Sequence, residues 1–187
     1  ADGPRRVVAS CHTPITPGVH IFTQSQKVQK LRRNILELVL SDHPPECLTC
    51  EINGNCELQT VAARVGVRQI RYTGGKNHLD RKKDLSHPYM TSDLAKCINC
   101  SRCVRACDEI QGQFVLSMHG RGFDARIIKS FDTSFNDSTC VSCGACSQAC
   151  PTSAISDVFQ SKAIQATKKT RTICTYCGVG CNLEVAT

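Results

Sequence analysis

The longest regular pattern of apolar and polar positions in this chain of 187 residues lies in its first quarter. Apolar residues there fall on one face of a helix: Val28, Leu31, Ile35, Leu38 and Val39. Lysines and arginines occupy the opposite face. The pattern predicts a helix from Thr23 to about Ser41, with Thr23 or Ser25 as its N-cap and with Pro44 and Pro45 beyond its end.

Elsewhere the patterned stretches are short. Residues 57–65 predict a second amphipathic helix, and residues 113–118 and 123–129, separated by HGRG, predict the two strands of a hairpin. Residues 72–89 are polar and predict a loop or linker, and residues 160–172 are rich in lysine and threonine and predict a connector. Short elements joined by such loops indicate an α+β chain of small domains with small cores.

Most of the 15 cysteines lie in the unpatterned stretches, and eight of them form two copies of one run. Both copies read C-x2-C-x2-C-x3-C: Cys97, Cys100, Cys103 and Cys107, then Cys140, Cys143, Cys146 and Cys150. This is the bacterial ferredoxin run, whose fourth cysteine ligates the cluster of the other run. We therefore expect two 4Fe-4S clusters in a ferredoxin fold, one on the first three cysteines of the first run with Cys150, the other on the first three of the second run with Cys107.

Zinc and disulfide bonds are the alternatives for these runs. Zinc sites pair two CxxC knuckles, whereas here three cysteines sit at steps of three and the fourth follows at a step of four, twice. The cysteine count is odd, and so dense a set of thiols is typical of a reducing compartment. The first run has Asp108 where the second has Pro151, and we expect this to alter the local turn and the reduction potential but not the ligation.

A histidine and three cysteines follow the first predicted helix. Their spacing is H-x3-C-x2-C-x5-C: His43, Cys47, Cys50 and Cys56. From spacing alone this set favours a third 4Fe-4S site, with a zinc site or an ordinary surface histidine as the alternatives. Imidazole in place of one thiolate removes a negative charge and should alter the reduction potential.

The remaining cysteines form incomplete sets. Cys174, Cys177 and Cys181 have C-x2-C-x3-C spacing, and three ligands cannot close a four-iron cage. We expect either a fourth ligand beyond Thr187 or a three-iron or zinc site. Cys11 stands alone and, without further context, is typical of an ordinary buried cysteine.

Two further features of the sequence are interpreted as ordinary surface structure. His78 and His87, both in the predicted linker, are taken as surface histidines. Arg5 and Arg6 superficially resemble a twin-arginine signal, but no apolar segment of the necessary length follows, so the pair is taken as the edge of a strand.

The formal net charge of +7 raises the possibility of nucleic-acid binding. Clusters held by four thiolates contribute about −2 each and a cluster with one histidine about −1, which takes the charge of the loaded chain to roughly +2. Nucleic-acid binding is therefore not expected. No stretch approaches the ~18 apolar residues of a membrane span, so we expect a soluble, cytoplasmic protein. Its core is thin enough that we expect the apo form to fold poorly.

At this point the motifs resemble a known family. DHPPECLTCEINGNCELQ, CINCSRCVRACDE and CVSCGACSQACPTSAI are similar to the iron-sulfur arm shared by the large peripheral subunit of respiratory complex I, iron-only hydrogenases and NAD-dependent formate dehydrogenases. The last motif, TICTYCGVGCNLEV, resembles the start of the molybdopterin oxidoreductase domain of formate dehydrogenases. The whole chain is most similar to the catalytic alpha subunit of the soluble NAD-dependent enzyme.

The resemblance implies roles for the weaker sites. By likeness, Cys11 is the last ligand of a 2Fe-2S domain, His43 is a true ligand, and Cys174, Cys177 and Cys181 are three ligands of a cluster beside the molybdopterin. It implies four regions, at 1–22, 23–85, 86–165 and 166–187. The chain is then a piece of a longer polypeptide, and it holds no catalytic residue itself.

The resemblance also implies a function, cofactors and partners. Formate would be oxidised to carbon dioxide at a bis-molybdopterin guanine dinucleotide centre with molybdenum or tungsten. Electrons would pass through this arm to a flavin (FMN) subunit that reduces NAD, with a small 2Fe-2S subunit as a further partner. The alternatives are the same arm in a hydrogenase or complex I subunit, and a free-standing ferredoxin-like carrier.

Overall fold

The computed structural model of the protein describes residues 7–74, 80–159 and 166–187. Its helices are short apart from the first: α1 (Gln26–Ser41), α2 (Glu57–Val65), α3 (Arg102–Arg105), which continues as a π-helical turn over Ala106–Ile110, and α4 (Ala145–Ala149). Three single turns of 3-10 helix cover Cys47–Thr49, Leu94–Lys96 and Gly122–Asp124. No helix among the described residues is both long and apolar enough to cross a bilayer.

Within residues 7–74, 80–159 and 166–187, six strands form three antiparallel pairs. In chain order they are β1 (Met90–Ser92), β2 (Leu116–His119), β3 (Arg126–Lys129), β4 (Ile155–Asp157), β5 (Lys169–Ile173) and β6 (Asn182–Ala186). The pairs are β1 with β4, β2 with β3, and β5 with β6. The sequence predicted the β2–β3 hairpin but none of the other strands, and β5 lies where a connector was expected.

The first helix begins and ends as its sequence dictates, but its buried face differs from the predicted one. Ser25 is the N-cap and accepts a hydrogen bond from Val28 N at 3.3 Å. Leu36 and Glu37 are the buried residues, whereas Ile35 is 60% exposed. The reason is that α1 packs on α2 through Leu36, with Glu37 on the same side of the helix.

Buried Glu37 has a charged partner from the far end of the same region. Arg71 Nε lies 2.7 Å from its carboxylate, and a second guanidinium nitrogen of Arg71 donates to Asn34 at 2.7 Å. A buried carboxylate is costly without such a partner. The interaction therefore fastens the segment after α2 to α1.

Two small apolar cores hold the described chain together. One contains Leu36, Ile52, Cys56 and Leu58, with Ile98 packed against it. The other lies around the ferredoxin runs and contains Met90, Val115, Leu116, Ile127, Phe135 and Ile155 together with Cys103, Cys107 and Cys146. Cysteines are thus part of both cores. The chain is α+β, built of small domains, as the sequence predicted.

The β1–β4 pair closes the ferredoxin region. Met90 lies opposite Asp157 and Ser92 opposite Ile155, so the strand before the first run pairs with the strand after the second. The pair is fastened to the β2–β3 hairpin through Asp84, which exchanges backbone hydrogen bonds with Ser92 and accepts a hydrogen bond from Lys129 Nζ at 2.7 Å. Burial would raise the pKa of the Asp84 carboxyl, but the hydrogen bonds that it accepts from Lys129, Ser86 and the Phe135 N–H outweigh burial and lower it.

Candidate iron-sulfur centres

The two ferredoxin runs fold into the same loop. Asn99 and its counterpart Ser142 both have positive φ, 53° and 59°, and so do Ser101 at 59° and Gly144 at 76°. Each loop is followed at once by a helix. A left-handed residue reverses the chain sharply enough to bring successive cysteines to one side. The repeated sequence therefore produces a repeated conformation, although Gly144 is the only glycine among the four.

Backbone amides in each loop point at the first cysteine of the run. Asn99 N donates to Cys97 Sγ at 3.4 Å, and Ser142 N donates to Cys140 Sγ at 3.4 Å. Ile155 N donates in the same way to Cys150 Sγ at 3.4 Å. Donors aimed at sulfur stabilise negative charge on it, which raises the reduction potential of a cluster bound there.

The fourth thiol of each run lies near the thiols of the other run. Burial raises the pKa of the Cys103 thiol to about 12, and the negative charge of ionised Cys97 and Cys150 nearby raises it further. Burial likewise raises the pKa of Cys146 to about 12, with Cys140, Cys143 and Cys107 among the neighbours that add to it. Cys150 is therefore close to thiols of the first run, and Cys107 lies in the wall of one cavity with the thiols of the second run.

The second of these groups faces a cavity. Its wall includes Cys107, Cys140, Cys143 and Cys146, with Met90 and Phe135 on the apolar side. A four-thiol cavity with an apolar wall suits an iron-sulfur cluster, because iron supplies the positive charge that buried thiolates need. Within the described ranges, no three His, Cys, Asp or Glu side chains converge on a point where a single metal ion would bind them all.

The third group of cysteines lies between α1 and α2. Cys47 is the first residue of a 3-10 turn and Cys50 directly follows that turn, and Cys56 is the N-cap residue of α2. Burial raises the pKa of the Cys56 thiol, and the ionised thiols of Cys50 and Cys47 raise it further, so these three lie together. His43 lies two residues beyond the end of α1, where its backbone N–H donates to Leu40 O at 3.3 Å.

The third group also meets the ferredoxin region directly. Glu57 N donates to Pro151 O at 3.2 Å, and Cys56 Sγ lies 3.7 Å from the same oxygen. On the surface beside this contact, both guanidinium nitrogens of Arg102 bind the Glu57 carboxylate, at 2.6 and 2.8 Å. One end of α2 is therefore held to both ferredoxin runs.

The terminal cysteines are more open to solvent. Cys174 and Cys181 face each other at the end of the β5–β6 hairpin, where Cys174 N donates to Cys181 O at 2.8 Å, and Cys177 lies exposed in the intervening turn. Cys11 is exposed rather than buried, which corrects the expectation from sequence alone. It lies in a turn of a segment with few buried side chains.

His87 was predicted to be a surface residue, and this prediction is wrong. The ring is 6% exposed and packs edge-on against Tyr89 and Phe135, with ring centroids 5.8 Å apart in both cases. Its Nδ1 accepts hydrogen bonds from the backbone N–H groups of Tyr89 and Met90, each at 3.1 Å. The ring proton is therefore on Nε2, which lies 2.9 Å from Ser142 Oγ and donates to it. His78 and the Arg5–Arg6 pair lie outside the described residues.

Arg81 is a second residue whose role the sequence did not indicate. Its guanidinium donates to Ala125 O at 3.3 Å and is partly buried beside Cys97. Burial lowers the pKa of Arg81, and the ionised Cys97 thiol opposes that shift. A cation held there stabilises negative charge on the cysteine sulfurs. It therefore favours the reduced state of a cluster bound at the first-run site. Its sequence context, DRKKD, gave no signal, because an arginine among charged residues is ordinarily solvated.

Three regions of the chain match models of known protein families. Residues 32–71 match the NADH-ubiquinone oxidoreductase-G iron-sulfur binding region, residues 96–154 match the 4Fe-4S dicluster domain, and residues 167–187 match the molybdopterin oxidoreductase Fe4S4 domain. The three regions occur in chain order and cover nearly all of the cysteines. The chain is an iron-sulfur arm of the NADH-ubiquinone oxidoreductase G-like type. Binding of 4Fe-4S clusters is the common property of the matched regions.

Individual relatives are named as subunits of oxidoreductases. It is 43% identical over 155 residues to the NADP-reducing hydrogenase subunit HndD of Solidesulfovibrio fructosivorans, covering 82% of the arm and 26% of that protein. It is 35% identical over 185 residues to the NADPH-Fe(3+) oxidoreductase subunit alpha of Geobacter sulfurreducens, covering 98% of the arm and 21% of that protein. The arm thus spans between a fifth and about a quarter of the length of these relatives.

A solved structure shows the same fold. The arm superposes on a chain of an NAD+-reducing [NiFe]-hydrogenase in the H2-reduced state with a TM-score of 0.77 and 27% identity, covering 86% of the arm and 68% of that chain. The names of these relatives refer to hydrogenase and NADPH-Fe(3+) oxidoreductase. None of them refers to formate, which the sequence resemblance had implied.

Proposed function

We propose that this chain relays electrons within an NAD(P)-linked oxidoreductase of the hydrogenase or complex I-like kind, between a flavin subunit and the catalytic centre. The observation that carries the proposal is that cysteines of each candidate centre lie beside those of the next. Cys107 crosses to the second run, Cys150 crosses to the first, and Cys56 touches the residue after Cys150. Three candidate centres therefore lie next to one another, as an electron relay requires. Each bound 4Fe-4S cluster would take up and release one electron at a time.

The ligand sets are part of the proposal. Four belong to the first-run site: Cys97, Cys100, Cys103 and Cys150. Four belong to the second-run site: Cys140, Cys143, Cys146 and Cys107. Four belong to the histidine site: His43, Cys47, Cys50 and Cys56. Regions 1–22, 23–85, 86–165 and 166–187 are the corresponding domains, with Cys11 as a 2Fe-2S ligand. None of the 15 cysteines, all of which lie in the described residues, forms a disulfide bond, and a cytoplasmic setting is part of the proposal.

Formate dehydrogenation is the second candidate, and one observation favours it. Residues 167–187 match the molybdopterin oxidoreductase Fe4S4 domain, and the β5–β6 hairpin brings Cys174 and Cys181 together there. In that version the three cysteines of this hairpin would hold part of a cluster beside a bis-molybdopterin centre with molybdenum or tungsten. Electrons from formate would then pass to the flavin subunit and a small 2Fe-2S subunit.

The test uses the native complex, purified without oxygen through a tag on this chain. Roughly 12 irons per chain are expected from the three complete sites, with more where terminal sites assemble. NADH or NADPH should generate the EPR signals of reduced 4Fe-4S clusters. Appearance of the same signals when hydrogen is the reductant would support the first candidate. Their appearance with formate, in a complex that contains molybdenum or tungsten, would support the second.

Two results would contradict the proposal as a whole. One is stoichiometric zinc with little iron. The other is a full iron content with clusters that neither nicotinamide nucleotide reduces. His43→Ala provides an internal check on the third ligand set, since it should remove or alter one cluster signal and leave those of the ferredoxin pair unchanged.

A further inference from the structure

The contact between Cys56 and Pro151 joins two ligand sets by a short route, and the inference below rests on the proposed function. Cys56 belongs to the histidine site, and Pro151 follows Cys150, which belongs to the first-run site. The Pro151 carbonyl oxygen lies 3.7 Å from Cys56 Sγ and accepts a hydrogen bond from Glu57 N at 3.2 Å. Residues 95 positions apart in the chain therefore bring two candidate ligands within one peptide unit of each other.

The chemistry of this contact changes when iron is bound. A ligating Cys56 is a thiolate without a proton, so its sulfur cannot donate to the carbonyl and the 3.7 Å separation is a van der Waals contact. The Glu57 N–H then holds the carbonyl in place. A continuous path leads from Cys56 through the Cys56–Glu57 peptide bond to the Glu57 N–H, and across the hydrogen bond to the Pro151 carbonyl. From there it passes through Pro151 and the Cys150–Pro151 peptide bond to Cys150.

We propose that this path is the electron crossing between the histidine site and the first-run site, and that Glu57 is its positioning residue. One electron moves, so one centre is oxidised by one electron and the other is reduced by one. No bond is broken and no proton is transferred. The electron comes from the nucleotide or the catalytic centre of the proposed function.

Glu57 is suited to this role because it holds both sides of the crossing. Its backbone N–H fixes the Pro151 carbonyl, and its carboxylate binds Arg102 in α3, between Cys100 and Cys103, through two hydrogen bonds. Two parallel hydrogen bonds from a guanidinium fix orientation as well as distance. The first turn of α2 is therefore held in a fixed position relative to Pro151 and Arg102, in two segments of the first-run site.

A second polar contact between the two regions offers a longer route. Glu51, which follows Cys50, forms a short hydrogen bond with Ser153 Oγ and lies 3.3 Å from Lys96 Nζ. This link passes through a full carboxylate side chain and then through three residues back to Cys150. It contains many more bonds than the Glu57 link, so we assign it a structural role.

The test is Glu57→Pro in the native complex, because proline removes the backbone donor to Pro151 O together with the carboxylate that binds Arg102. Residue 57 is the first residue of α2, where proline is well tolerated, and Cys56 already has the extended conformation, φ −95° and ψ 122°, that a residue before proline adopts. Glu57→Gln is the matched control, since it weakens the contact with Arg102 and keeps the N–H. Ser153→Ala interrupts the longer route.

The measurement is the rate of electron transfer between the two centres, from rapid photoreduction followed by freeze-quenched EPR. Glu57→Pro should keep its iron and its cluster signals and slow the transfer several-fold. Glu57→Gln should slow it less, and Ser153→Ala should leave it unchanged. Potentiometric titration of each variant separates a slower crossing from a changed driving force.

The proposal is overturned if Glu57→Pro transfers electrons at the wild-type rate, or if Ser153→Ala slows the transfer as much as Glu57→Pro does. Should Glu57→Pro lose its clusters, Pro151→Gly decides instead. Freeing the backbone at residue 151 loosens the carbonyl, so a reduced rate supports the crossing and an unchanged rate refutes it. Failure of the proposed function would appear earlier, as a wild-type complex without reducible clusters.

Discussion

The two ferredoxin runs have the same cysteine spacing, but the backbone conformation after the last cysteine differs between them. After Cys107 the chain remains helical through the π turn that ends at Ile110. After Cys150 it is extended, because Cys150 (φ −76°, ψ 120°) precedes Pro151. The spacing of the cysteines thus determines the loop that holds the thiols, and the residue after the last cysteine determines where the chain goes next. Of the two segments, only the one after Cys150 brings a backbone carbonyl oxygen, that of Pro151, to Cys56.

The two loops also depend on different supports. The side chain of Asn99 secures the first loop by donating to Ala125 O at 3.2 Å. At the equivalent place in the second loop, Ser142 is secured by His87, which comes from a segment 55 residues earlier. Equal backbone conformations are therefore held through a backbone carbonyl 26 residues away in one run and through a side chain 55 residues away in the other.

The largest expected effect comes from exchanging ligands between the runs. Cys150→Ala should abolish or convert the cluster built on Cys97, Cys100 and Cys103 and spare the one built on its own run, because Cys150 lies with the first run. Cys107→Ala should do the reverse. EPR of the reduced native complex, compared with iron content, measures both effects. Loss of the second-run signal in Cys150→Ala would disprove the crossing.

A smaller effect is expected from exchanging the exits. Asp108→Pro places proline inside the helical stretch that ends at Ile110, which should cost about 3 kcal/mol of stability. Pro151→Ala only adds freedom to the unfolded chain and should cost about 1 kcal/mol or less. The loss of cluster absorbance in denaturant reports both. Equal sensitivity of the two variants would show that the exits do not differ as described.

The smallest effect is expected at the two loop supports. Asn99→Gly and Ser142→Gly remove the supporting side chains and keep the positive φ, at a cost of about 1 kcal/mol each. Iron release to a chelator, followed by the EPR signal of each cluster, should show faster loss of the first-run cluster in Asn99→Gly and of the second-run cluster in Ser142→Gly. A uniform loss of both clusters in either variant would contradict separate supports.

Local signals in the sequence predicted much of this molecule. Capping and proline residues gave the ends of α1, α2 was predicted at its observed bounds, and the turn HGRG gave the β2–β3 hairpin. The spacing of the cysteines predicted that Cys107 and Cys150 would each lie near the other run, as they do, and the ligand sets themselves stay a prediction. These features depend on residues close together in the chain or on a repeated motif.

The features that sequence reasoning missed depend on long-range contacts. His87 lies in a polar segment, and only its pairing with Ser142 explains its burial. The β1 and β4 strands have three residues each and no alternating pattern long enough to recognise, since each exists by pairing with the other. The buried face of α1 was misplaced because it is determined by α2 and by Arg71, which no periodicity reveals.

The pairing of β1 with β4 has a consequence for how this region can be exchanged between proteins. Because Met90 lies opposite Asp157, the chain enters and leaves the ferredoxin unit at neighbouring points. Units with adjacent ends can be inserted into or removed from a longer chain with little disturbance of what flanks them. A short linker could therefore join the two ends left by removing residues 90–157, but the segment that contains α1 and α2 would lose Ile98 from its core and the contacts of Glu57 with Pro151 and Arg102, and should become less stable.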